Sequence, residues 1–260
     1  MLTGLCSILP GMICPKCQYA AQDSDSDMME GVCPACGIAY SKWFPNDLDN
    51  AAANNPVTEA SVKEPLLRRT YYYLFFMPSD RDESAFWGHA VLFVWFSVWG
   101  WSFILHGIDW AYIGTSFLHY VNLPFHEYGH IFFRPFGSVW MYMGGSFFQI
   151  LVPLAPLAYF MVWKRDNFAA SLMLWWCGQN FIDVSPYIAD APTRLLPLIS
   201  GIDESHDWWN VLSMTDSMQL AEFYAGLCFI LGALIIIASQ LWGAKLLYVE
   251  LKGRIADPGV

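Results

Sequence analysis

FYAGLCFILGALIIIASQLWGA, residues 223–244, runs for 22 residues without a charged side chain. As an α-helix such a stretch rises about 33 Å, roughly one hydrocarbon thickness. In lipid a helix satisfies every backbone polar group within the segment, so this composition dictates a membrane-spanning helix. Working outward, residues 85–105, AFWGHAVLFVWFSVWGWSFIL, are also uncharged and carry four tryptophans, which suit the bilayer interface. Residues 146–163 and 168–189 are two further candidate spans. Residues 108–133 are less apolar and contain Asp109, His119, Asn122, His126, Glu127 and His130. Together these runs predict a mainly α, polytopic membrane helix bundle of about five transmembrane helices. LLRRTYYYLFFM at 66–77 is too short to cross and reads as an interfacial element.

Composition agrees. Of the 260 residues, 56% are hydrophobic, 17% aromatic and only 14% charged, against about 25% charged in an ordinary soluble domain. The 23 acids against 13 bases, net charge −10, argue against a nucleic-acid partner. The expected organisation is a cysteine-bearing module at 1–45, a linker and interfacial segment at 46–84, and a transmembrane domain at 85–260. The linker core, NDLDNAAANNPVTEASVKEP at 46–65, lacks the apolar content to fold. The first residues have neither the basic start nor the long apolar core of a secretory signal. Basic residues flank the spans almost evenly, so they give no orientation.

Four of the seven cysteines form Cys14-x2-Cys17-x15-Cys33-x2-Cys36. A two-residue gap lets both thiolates of a turn face one tetrahedral ion, and the fifteen-residue connection brings the second pair opposite the first. This spacing predicts a zinc ribbon with a closed, structural Zn2+ site, similar to small ribbons at the cytosolic termini of bacterial proteins. A module this short has little core, so the metal supplies much of its folding energy. Four reduced thiolates imply a reducing compartment and hence a cytosolic N-terminus.

The second motif is His126-Glu127-Tyr128-Gly129-His130. In a helix, His126 and His130 share one face, so both rings can bind one Zn2+, with Glu127 beside the metal as proton acceptor. Ionisable residues within a span are costly and usually functional. His119, beyond Pro124, reads as a packed or cavity-lining residue, and Ser185 has no partners of a serine enzyme.

With HEYGH inside an apolar span, FGSVWMYMGGSFF at 136–148 and NFIDVSPYIADA at 180–191, the chain resembles the site-2 protease family of intramembrane zinc metallopeptidases over roughly residues 110–192. The resemblance implies a membrane-embedded protease that cleaves membrane-anchored proteins in the bacterial inner (cytoplasmic) membrane. It also implies a third zinc ligand from an aspartate on a later span, within a stretch reading Asn…Pro…Asp-Gly. Asn180, Pro186 and Asp190 occur in that order, with Ala191 at the glycine. Asp190 is the favoured third ligand, with Asp183 and His206 as competitors. Glu127 is the expected general base and Asn180 the expected oxyanion donor. In the family an edge strand unwinds the substrate helix. The alternation of Val139, Met141 and Met143 with Trp140 and Tyr142 before Gly144-Gly145 suits such a strand or hairpin. The other readings are a catalytically silent zinc-binding membrane scaffold or regulator, and a membrane metal-binding or transport protein.

Overall fold

The computed structural model describes residues 13–14, 16–20, 32–38, 66–77, 83–199 and 201–256. The expected linker core at 46–65 lies outside them. The chain divides into two units, residues 1–88 with 246–260, and residues 89–245. The described residues are mainly helical and contain no strand.

The helices are α1 (Leu66–Phe75), α2 (Glu83–His106), α3 (Trp110–Ile113), α4 (Phe117–Phe133), α5 (Ser138–Leu151), α6 (Leu154–Tyr159), α7 (Asn167–Ala189), α8 (Asp207–Met214) and α9 (Ala221–Ala256). α6 runs into a π-turn, Phe160–Lys164, which Arg165 ends in the left-handed conformation. Three segments are long and apolar enough to cross a membrane: Glu83–His106, Ser138–Lys164 and Met218–Arg254.

α4 and α7 are more polar because their polar side chains turn into the bundle. α7 is buried along most of its length, and its Gln179, Asn180, Asp183 and Ser185 all lie inside. Side chains also start these helices. Ser116 caps α4 by accepting from Leu118 N–H, and Asp166 caps α7 by accepting from Ala169 N–H. Both helices continue through an internal proline, Pro124 and Pro186. A proline leaves the carbonyl four residues back without its helical partner. At Pro186 that carbonyl belongs to Ile182, and the Ser185 hydroxyl donates to it at 2.7 Å. The core of the second unit joins Phe103, Ile113, Trp175, Ile182 and Ile236 from α2, α3, α7 and α9.

Residues 136–148 differ from expectation. They form no strand or hairpin: Gly137, at φ 101°, turns the chain and α5 begins at Ser138. The glycines decide this. A Cβ on Gly129 would lie 2.2 Å from Gly144 O, and a Cβ on Gly144 would lie 2.7 Å from Gly129 O. α4 and α5 therefore cross almost backbone to backbone, a contact that only small residues on two helical faces allow.

Candidate metal centres

The first centre is built from two matching turns. Gln18 N–H donates to Cys14 O and Cys14 N–H to Tyr19 O, while Gly37 N–H donates to Cys33 O and Cys33 N–H to Ile38 O, each at 2.8 Å. The residue after each second cysteine, Gln18 or Gly37, has φ of 60° or 70°, and these turns aim four sulfurs at one point. Cys14 Sγ lies 3.6 Å from Cys36 Sγ, and Cys17 Sγ 3.7 Å from Cys33 Sγ. All four cysteines are free thiols. The edge of a tetrahedron with metal–sulfur bonds of about 2.3 Å is roughly 3.8 Å, so the set fits one four-coordinate ion. Burial pushes the Cys14 thiol up, but the backbone N–H groups of Cys17 and Lys16 outweigh it and hold the thiol at about 7.

The second centre lies among the helices. His126 and His130, one turn apart on α4, bring their rings to 4.9 Å between centroids. With Asp207 they form a group whose ligand atoms all lie within 4.8 Å of one another. Asp207 Oδ2 is 3.0 Å from His126 Nε2 and 3.3 Å from His130 Nε2. The opposite ring nitrogens are already engaged. His130 Nδ1 donates to Met141 O at 2.8 Å, and His126 Nδ1 donates to Gln149 Oε1 at 2.8 Å. With the proton on Nδ1, each neutral ring offers a lone pair at Nε2. Two lone pairs and a carboxylate oxygen thus converge, an arrangement that a cation resolves. Gly145 makes the space, since a Cβ there would lie 2.5 Å from His126 Nε2 and 2.6 Å from His130 Nε2.

Asp207 is the first residue of α8. His206 caps that helix by accepting from Trp209 N–H at Nδ1, 3.2 Å. Tyr187 Oη accepts from Asp207 N–H at 2.9 Å and donates to Asp207 Oδ2 at 3.1 Å, clamping the carboxylate from α7. The His206 ring packs on Tyr187 at 4.3 Å between centroids.

The expected third ligand is corrected by this geometry. Asp190 caps the end of α7 and takes Thr193 Oγ1–H at 2.6 Å, Leu195 N–H at 2.9 Å and Leu196 N–H at 3.0 Å. It stands 3.4 Å from His206 Nε2, outside the centre. Its oxygens are spent on pinning the chain after α7. Asp183 faces His119, Asn122 and Gln149. Asn180 is fully buried, donates to Trp176 O of its own helix at 3.0 Å, and does not line the cavity beside the centre, so the expected oxyanion role fails on position. Asp207, Tyr187 and Gln149 are the residues sequence reasoning missed. The available signal was the polar run ESHDWW after a long apolar stretch, in which Asp207 adjoins the candidate His206.

The His126–His130–Asp207 group opens on a cavity of about 800 Å3. Glu127 lines it, as do Trp110, Leu123, Tyr142, Val184 and Leu196. The wall is mostly apolar, with Glu127 next to the convergent donors and Gln149 and Asp183 also on it. No family model, curated protein or solved structure matches the chain.

Proposed function

We propose that this chain is a membrane-embedded zinc metalloprotease that hydrolyses peptide bonds of membrane-anchored proteins. The supporting observation is the convergence of His126 Nε2, His130 Nε2 and Asp207 Oδ2 beside Glu127 at the wall of a large apolar cavity. Three nitrogen and oxygen donors facing open space are the ligand set of a catalytic zinc, whereas the four thiolates of the ribbon close their site and suit a structural zinc. Zinc held by the three donors supplies the Lewis acidity that makes water nucleophilic near neutral pH. Glu127 takes a proton from the attacking water and passes it to the leaving amine nitrogen. Gln149 and Met141 orient the two rings, and Tyr187 and His206 hold Asp207 toward them. The substrate segment enters extended, because a helical carbonyl is engaged four residues along its own chain.

On this reading α4 and α7 cross the bilayer with the three longer segments, giving five spans. The ribbon faces the reducing cytosol and the protein sits in the bacterial inner membrane. The test uses purified chain in proteoliposomes with a membrane-anchored reporter and zinc. Wild type should cleave the reporter, and Glu127→Gln should lower the rate at least about a hundredfold while both ions stay bound. Full cleavage by Glu127→Gln would refute the mechanism.

A further inference from the structure

The metal-binding nitrogen of His126 is available only in one of the two imidazole tautomers. For His130 the choice is settled by Met141 O, which can only accept. His126 instead faces the side-chain amide of Gln149, whose two ends differ only in being acceptor or donor. Turned one way it places the proton on Nδ1 and frees Nε2. Turned the other way it forces the proton onto Nε2 and blocks the ligand. The amide orientation therefore decides whether the centre exists.

A buried polar chain fixes that orientation from its far end. Trp176 Nε1–H can only donate, and it donates to Asn122 Oδ1 at 2.9 Å. Asn122 Nδ2 is thereby left to donate to Gln179 Oε1 at 2.9 Å and Asp183 Oδ2 at 3.0 Å. A carboxylate can only accept, and Asp183 also receives His119 Nδ1–H at Oδ1, 3.0 Å, and Gln149 Nε2–H at Oδ2, 3.1 Å. Reversing Gln149 would set its oxygen against the Asp183 carboxylate. Asn122, Gln149 and Asp183 are each at most 4% exposed, so the links among them are direct and buried.

We propose that Asp183 is a positioning residue of the metal centre: by holding Gln149 Nε2 it turns Gln149 Oε1 onto His126 Nδ1–H and so presents His126 Nε2 to the metal. This rests on reading His126, His130 and Asp207 as a metal site. Asp183 stands at the cavity wall and reaches His126 through one intervening amide, that of Gln149. Its charge organises the ring it does not contact.

The test uses the full chain in detergent micelles, with zinc titrated against a chelator and the histidines followed by 15N NMR at matched zinc. In zinc-loaded wild type two ions bind and His126 carries its proton on Nδ1. Asp183→Leu should keep the ribbon ion, shift His126 toward the Nε2–H tautomer and weaken the membrane ion by about 10- to 100-fold. The double variant Asp183→Asn with Gln149→Glu moves the carboxylate one link along. The new acid can only accept, so it takes His126 Nδ1–H whichever way the new amide lies, and the Nδ1–H tautomer and part of the affinity should return. Three results would overturn the proposal: wild type protonated at His126 Nε2, Asp183→Leu with unchanged tautomer and affinity, or a folded double variant that stays in the Nε2–H form. The double variant decides the matter if Asp183→Leu does not fold. Wild type that binds the ribbon ion alone overturns the metal centre itself, and this proposal with it.

Discussion

Burial alone would push the Asp207 carboxyl above the ordinary carboxylate range, but the His126 and His130 rings beside it outweigh burial and hold it at about 2. A depressed carboxyl stabilises the fold fully above its unfolded value, about 3.9. That contribution is lost as pH falls through the folded value. In the metal-free chain, acid unfolding between about pH 4 and 2 should therefore depend on Asp207. Asp207→Asn should flatten stability in that window, which a denaturant series at stepped pH would check. With metal, Asp207→Asn should remove the membrane ion, whereas Asp190→Asn should leave it in place and loosen only the chain after α7; ion counting separates the two. The convergence of His126 and His130 was legible in the sequence because side chains one helical turn apart obey a local period. Asp207 was not, because no period links α4 to a short helix 77 positions later; only folding brings them together. In the four-cysteine cluster, Gln18 occupies a left-handed position that its partner turn gives to Gly37. Gln18→Gly should relieve about 1 kcal/mol, a severalfold gain in the cluster's metal affinity measurable by chelator competition.

At the scale of elements, α5 carries two duties on one face. Gly144 lets α4 approach, and Gly145 leaves room at the imidazoles. Gly144→Ala should cost about 1–3 kcal/mol through helix separation. Gly145→Ala should instead evict the membrane ion with little loss of helicity, since its methyl points at the two Nε2 atoms. Circular dichroism with metal analysis distinguishes these outcomes. Met143→Pro, in the interior of α5, should break the helix, withdraw Met141 O from His130, and so lose the ion. A strand platform at 136–148 would have tolerated that change without metal loss. The alternation of Val139, Met141 and Met143 read as a strand because five residues are too few to separate a period of 2 from one of 3.6. The Gly144-Gly145 pair reads equally as a turn or as a close helix crossing until the partner glycine, Gly129, is seen against it.

At the scale of the molecule, long apolar runs made the helical membrane character plain. α4 and α7, expected as spans, are not among the three segments long and apolar enough to cross, because their polar residues serve a buried network and dilute the hydropathy. α2 shows the converse, with Val91, Trp95 and Val98 exposed along it, as a lipid-facing surface requires. The two candidate metal groups are drawn from separate units, the cysteines from residues 1–88 and the His–Asp set from residues 89–245. Cys33→Ser should therefore remove one ion and leave the other, as elemental analysis would show.

The third donor of the membrane centre begins α8, and the run from Ala191 to His206 ties α8 back to α7. An ion gripping Asp207 together with α4 would act as a clasp across that run, closing a ring of chain whose far side is covalent. Withdrawing the ion would unfasten one side of the ring. Susceptibility of residues 193–205 to a protease added from outside should rise when the ion is stripped and fall when it is restored. That would give a gauge of occupancy that needs no substrate.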